Sequence, residues 1–189
     1  MNGLYEAAGE IKQFCDERGW QFCFIGGLAL VRWGEIRQTQ DVDLTLLTRF
    51  DDARFIDELL SSFKPRFVNA RDFAVQNRVV LLTASNAVPI DVSLGALPFE
   101  EGMIRRATGF AYLPDCNLPT ASAEDLIVMK CFAGRTKDWA DVEGILARQS
   151  GKKLKWKLIL SELTALCELK ETPETVDQLL KLRQQFYAD

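Results

Sequence analysis

Three aspartates and a glycine pair are the residues of this chain whose types and spacing could do chemistry. Gly26-Gly27 follows the apolar run Phe22-Cys23-Phe24-Ile25. Asp41 and Asp43 open a second run, Asp41 to Leu47, and Asp91 lies inside a third, Pro89 to Leu94. Side chains alternate faces along a strand, so Asp41, Asp43 and Thr45 share one face and Val42, Leu44 and Leu46 the other. The same parity sends Ile90, Val92 and Leu94 into a core and leaves Asp91 and Ser93 opposite. Three carboxylates on one sheet face repel one another unless a cation neutralises them, and hard oxygen ligands suit Mg²⁺. A glycine pair that ends a strand and opens a helix, here Leu28 to Trp33, offers backbone N–H groups to phosphate. Metal-holding carboxylates beside a phosphate cradle are the parts of a nucleotidyl-transfer site. Each part alone is ordinary, a turn or a solvated acid; their order and strand context carry the reading.

The elements that must position these residues follow from periodicity. Ala7, Ala8, Ile11, Phe14 and Cys15 have helical spacing within Tyr5 to Arg18, and Gly19 ends that helix. Asp51 to Phe63 reads as a helix whose core face is Phe55, Ile56, Leu59, Leu60 and Phe63, stopped by Pro65. Phe67-Val68, Arg78 to Thr83 and Phe110 to Leu113 read as strands, and Phe99 to Arg106 as a short helix. From Ala121 onward nothing reads as a strand. Ser122, with Asp125 three residues on, is a cap-like start for a helix to Phe132. Gly134 separates it from a helix over Asp138 to Arg148. Two more helices are expected, Leu154 to Leu169 and Pro173 to Tyr187, the last capped by Thr172. The predicted architecture is an α/β core over residues 1–117, a small mixed sheet with flanking helices, followed by a C-terminal helical lobe over 118–189.

Composition narrows the chemistry. The chain has 189 residues, 48% hydrophobic and 26% charged, with a net charge of −4, ordinary for a globular protein and unsuited to gripping nucleic acid over its whole surface. No apolar run approaches the ~20 residues of a membrane span. The first residues lack the basic and apolar regions of a signal peptide. Five scattered cysteines, without a C-x-x-C, read as buried thiols in a reducing cytoplasm. There is no histidine, which removes Ser-His-Asp and Cys-His catalysis and the usual catalytic zinc sites. Chemistry here must rest on carboxylates, Lys, Arg, Tyr or metal.

Gly26-Gly27, the run Arg37-Gln38-Thr39-Gln40-Asp41-Val42-Asp43 and Asp91 together resemble the minimal nucleotidyltransferases of the DNA polymerase β superfamily. Glu124 to Lys130 and Gly134 to Asp141 are similar to its AbiEii-like branch, which includes toxins of type IV toxin–antitoxin systems. The first match covers Gln21 to Gly95 and the second Ser122 to Leu146. The resemblance implies the polymerase-β-like fold and transfer of an NMP from an NTP to an acceptor hydroxyl, with loss of pyrophosphate. It implies that Asp41, Asp43 and Asp91 are the catalytic residues and ligands of two Mg²⁺ ions, Asp91 also helping to deprotonate the acceptor. Gly26 and Gly27 would hold phosphates through backbone N–H. Where the family often has Gly-Ser, this chain has Gly27 and no hydroxyl. Arg37, Lys130, Asp138 and Asp141 complete the expected nucleotide-binding set. Lys130 is expected to close the nucleotide cleft, because a triphosphate held by backbone donors alone needs cationic partners. The acceptor stays open between RNA such as a tRNA end, a protein, and an aminoglycoside or lincosamide antibiotic, with a cellular macromolecule favoured. An antitoxin partner, and a catalytically inactive nucleotide-binding module, are the further readings.

Overall fold

In a computed structural model the described residues are 2–34, 39–150 and 154–187. Among them the chain runs α1 (Asn2–Glu17), β1 (Phe22–Phe24), α2 (Gly26–Trp33), β2 (Val42–Leu47), α3 (Arg54–Ser62) and β3 (Lys64–Pro65). It continues through α4 (Ala70–Asn77), β4 (Val79–Thr83), β5 (Pro89–Gly95), α5 (Pro98–Arg106), β6 (Thr108–Leu113) and β7 (Cys116–Thr120). It ends in α6 (Ala123–Ala133), α7 (Thr136–Gln149), α8 (Trp156–Lys170) and α9 (Glu174–Phe186). The chain divides into two compact units, Met1–Leu28 with Gln38–Ala121, and Ala29–Arg37 with Ser122–Asp189.

The first unit is built on one mixed sheet of order β3-β4-β5-β2-β1-β7-β6. β2 and β5 run parallel at its centre, in the register Val42↔Ile90, Asp43↔Asp91, Leu44↔Val92 and Leu46↔Leu94. β1 flanks β2 antiparallel and β4 flanks β5 antiparallel. The alternation in β2 and β5 does what parity requires. Val42, Leu44, Leu46, Ile90, Val92 and Leu94 are buried in one core with Val80 and Leu82 of β4. α1 closes that core with Ala7, Ala8, Ile11 and Cys15, and α3 with Ile56 and Leu59, each set spaced to share one helix face.

The second unit is helical. α6 packs against α7, α8 and α9. It is apolar nearly all round, with Leu126, Ile127, Val128 and Cys131 buried, as a central helix must be. The Ser122 hydroxyl accepts the Asp125 N–H at 3.1 Å, and Gly134 ends the helix at φ +69°, a left-handed conformation open to glycine without strain.

The structure corrects the sequence reading in five places. Phe67-Val68 is not a strand: residues 66–69 are bends and turns, and the edge strand is the two-residue Lys64–Pro65 before them. Pro65 fits an edge because it has no N–H to give to a further strand. Helix α4 was not anticipated, since its two buried residues, Ala70 and Ala74, are small and give a weak apolar stripe. Strand β7 was hidden by Asn117 and Pro119, yet it joins β1 and β6. α2 starts at the glycines themselves rather than at Leu28. Pro173, not Thr172, is the N-cap of α9, without a side-chain cap.

Leu44 is wholly buried in the central strand. Leu44→Ala should lower unfolding free energy by about 3 kcal/mol through lost burial plus a cavity, read from chemical denaturation followed by circular dichroism.

Candidate active site

The candidate site is assembled by the central strands of the first unit. Because β2 and β5 are parallel and in register, Asp43 and Asp91 are direct neighbours on the face opposite the core. Asp41 sits just before β2 and reaches the same place. One carboxylate oxygen from each of Asp41, Asp43 and Asp91 lies within 4.8 Å of the others. Partly buried carboxylates this close repel, and three hard oxygens at this separation fit a divalent cation such as Mg²⁺.

The backbone around them is drawn in tightly. Ile25 donates its N–H to the Asp43 carbonyl at 2.9 Å, which carries the glycine turn onto the start of β2. Gly26 has φ +55°, and a Cβ there would collide with the Asp43 carboxylate. A Cβ on Gly27 would collide with the Thr39 side chain. Both glycines are therefore required by close approach, and both stand at the N-terminus of α2, where N–H groups have no helical partner. Thr39 donates its hydroxyl to Asp41 Oδ1 at 2.9 Å and so aims that carboxylate.

Asp91 has a further partner that sequence reasoning missed. Arg66 donates a guanidinium N–H to Asp91 Oδ1. Nothing in the spacing of Arg66 and Asp91 announces the pair, because the bend after β3 sets it. Burial pushes the Asp91 carboxyl up, Arg66 opposes that, and Asp41 adds to the rise, with the net value above the ordinary carboxylate range.

Three of the remaining expected residues belong to the second unit. Lys130, Asp138 and Asp141 come together within the second unit, where the Lys130 ammonium donates to Asp138 at 3.0 Å and to Asp141 at 2.7 Å. Arg135 adds a two-pronged bond to Asp138, at 2.5 and 3.1 Å. Asp138 is 0% exposed and Lys130 8%. The ammonium therefore does not snorkel to solvent, as a lysine on a surface helix would. Arg37 falls outside the described residues.

Asp138 gives a pH dependence with a definite sign. Burial pushes its carboxyl up, but hydrogen bonds from Arg135 and Lys130 outweigh burial and hold it below the usual range. A lowered folded value stabilises the fold above the unfolded value, about pH 4, and that stability is lost as pH falls through the folded value. Asp91, being raised, works with the opposite sign. The apo protein should lose stability on acidification below about pH 4, and Asp138→Asn should flatten that limb in pH-dependent thermal melts while lowering stability at pH 7.

Comparisons with known proteins bear on the family and the fold. Residues 15–185 match the family model described as the nucleotidyl transferase AbiEii toxin, type IV TA system. No curated protein matches the chain in sequence. The chain is similar in structure to an antigenic nucleotidyltransferase-like protein from Paracoccidioides brasiliensis, at 14% identity and TM-score 0.53, covering 98% of this chain and 97% of that one. It is also similar to the antibiotic-resistance factor ANT(2'')-Ia, at 15% identity and TM-score 0.55, covering 94% and 98%. At such identities the likeness speaks for the fold, a mixed α/β nucleotidyltransferase fold. The family match, spanning nearly the whole chain, carries the rest: this protein belongs to the AbiEii nucleotidyltransferase toxin family.

Proposed function

We propose that the protein transfers an NMP from an NTP to a hydroxyl of a cellular macromolecule, RNA such as a tRNA end or protein, as the toxin of a toxin–antitoxin pair. The observation that carries the chemistry is the convergence of Asp41, Asp43 and Asp91 within 4.8 Å beside a glycine turn. The family supports the toxin role and a possible antitoxin partner. Among the described residues no helix is long and apolar enough to cross a membrane.

In this reading Asp41, Asp43 and Asp91 are the ligands of Mg²⁺, probed most directly by removing one carboxylate. Bound divalent cations would supply Lewis-acid stabilisation of the charge on the reacting phosphoryl group. The chain's own residues do the remaining work. Backbone N–H groups of Gly26 and Gly27 hold phosphate oxygens at the start of α2. Thr39 keeps the Asp41 carboxylate aimed into the cluster. Asp91 accepts the proton of the acceptor hydroxyl in this reading. The freed oxygen attacks the α-phosphorus, the bond to the β-phosphate oxygen breaks, and pyrophosphate leaves. Lys130, Asp138, Asp141 and Arg37 belong to nucleotide binding in the same reading, on the family resemblance.

Purified protein incubated with each α-labelled NTP and Mg²⁺, and separately with total RNA, cell lysate or an aminoglycoside and lincosamide panel, tests the proposal. Label should appear in RNA or protein. Label confined to an antibiotic would replace the toxin reading with a resistance one. Metal-dependent NTP binding without transfer to any acceptor would make the chain an inactive nucleotide-binding module. Asp43→Asn should abolish transfer, while the metal-free melting temperature stays level or rises as like-charge repulsion falls. Full activity of that variant in Mg²⁺ would sink the metal assignment. Lys130→Ala should raise the KM for NTP by roughly 10- to 150-fold at unchanged kcat, equivalent to the roughly 1.5–3 kcal/mol of a charge-assisted contact. A variant with unchanged KM and only lower stability would confine Lys130 to holding α6 and α7 together.

A further inference from the structure

Arg66 donates to the acidic cluster through Asp91, and its placement is built rather than incidental. Edge strand β3 pairs with β4 through Lys64↔Thr83 and Pro65↔Leu82. Arg66 extends that pairing by donating its backbone N–H to the Leu81 carbonyl at 3.1 Å. Leu81 is in turn the register partner of Asp91. The Arg66 backbone thus stands two strand spacings from that of Asp91, roughly 10 Å, and only a long side chain spans the gap. Arg66 does so, passing the Leu81 position to reach Asp91 Oδ1. The chain leaves Arg66 through the 66–69 bend, where Val68 is fully exposed. Arg66 and Asp91 side chains are each 30% exposed, so the pair sits at the rim, where the guanidinium can be exchanged for another partner.

We propose that Arg66 is a positioning residue and the resident counter-ion of Asp91, holding that carboxylate in the cluster and competing with a divalent cation for it. The proposal rests on the metal-site reading above. A cation bound by the three carboxylates would lie within a few ångström of the guanidinium, and two positive groups at that separation repel. Arg66 therefore depresses cation affinity in the absence of nucleotide. An incoming triphosphate adds negative charge and offers the planar guanidinium new oxygen acceptors. Binding of nucleotide frees Asp91 for the cation, so metal and NTP load together. The acidic cluster is held ready by an internal cation until substrate arrives.

Mn²⁺ binding to the full chain without nucleotide, followed by electron paramagnetic resonance of the free ion, tests this. Arg66→Gln removes the charge and leaves a shorter, neutral polar side chain that no longer spans the gap to Asp91. It should bind Mn²⁺ about tenfold more tightly than the wild type. Arg66→Lys, which restores the charge, should return affinity to within about twofold of wild type. Addition of a non-hydrolysable NTP analogue should tighten Mn²⁺ binding in the wild type by a larger factor than in Arg66→Gln. Arg66→Gln that binds Mn²⁺ equally or more weakly overturns the proposal. Asp43→Asn, alone and combined with Arg66→Gln, separates that failure from the failure of the metal site. Loss of Mn²⁺ binding in both locates the ion at the carboxylates, whereas persistence in both places it elsewhere and removes the site reading together with the role of Arg66.

Discussion

The parallel pairing of β2 with β5 is the constraint on which the rest of the site depends. Its register sets Asp43 beside Asp91 on one face and Leu44 beside Val92 on the other. A slip of one residue would turn the carboxylates into the apolar core and the leucines out. Burial of six apolar side chains from these two strands thus holds two like charges side by side, at a distance they would not choose. The electrostatic cost is local and the hydrophobic gain is spread over the whole sheet. A cluster of like charges can thus be kept by a core to which those charges contribute nothing.

The same economy appears in the backbone. The glycine turn can press against β2 only because Gly26 and Gly27 carry no Cβ, and the space so saved is filled by the Asp43 carboxylate and by Thr39. Two charged clusters show how environment separates residues of one type. Asp91 is half-buried with one guanidinium partner and a neighbouring acid, and burial wins. Asp138 is wholly buried with Lys130 and Arg135 directly bonded to it, and the cations win. The first carboxyl is held above its ordinary value. The second is locked as an anion that ties α6 to α7.

Much of this was legible in the sequence because it depends on short-range rules. Parity along Asp41–Leu47 and Pro89–Leu94 placed three aspartates on one face, since the two-residue period of a strand leaves no other choice. Helical spacing in α1 and α3 located their buried faces, and the absence of histidine excluded whole reaction classes. Residue types in order also carried the family resemblance, which the family match over residues 15–185 bears out.

What the sequence could not decide is what depends on partners distant along the chain. The Arg66–Asp91 pair spans 25 residues, and only the β3–β4–β5 order makes the two neighbours. β7, which the sequence reading did not anticipate, is a strand because β1 and β6 offer it partners. Ala29–Arg37 groups with the C-terminal helices although it follows the glycine turn directly, because packing rather than chain order assigns a segment to its unit. Lys130 shows both sides. Its apolar helix was evident, but that its ammonium is buried between Asp138 and Asp141 follows from how α6 meets α7, and tertiary packing alone determines that. Local periodicity fixes which way a side chain points; only the assembled sheet and helices decide what it points at.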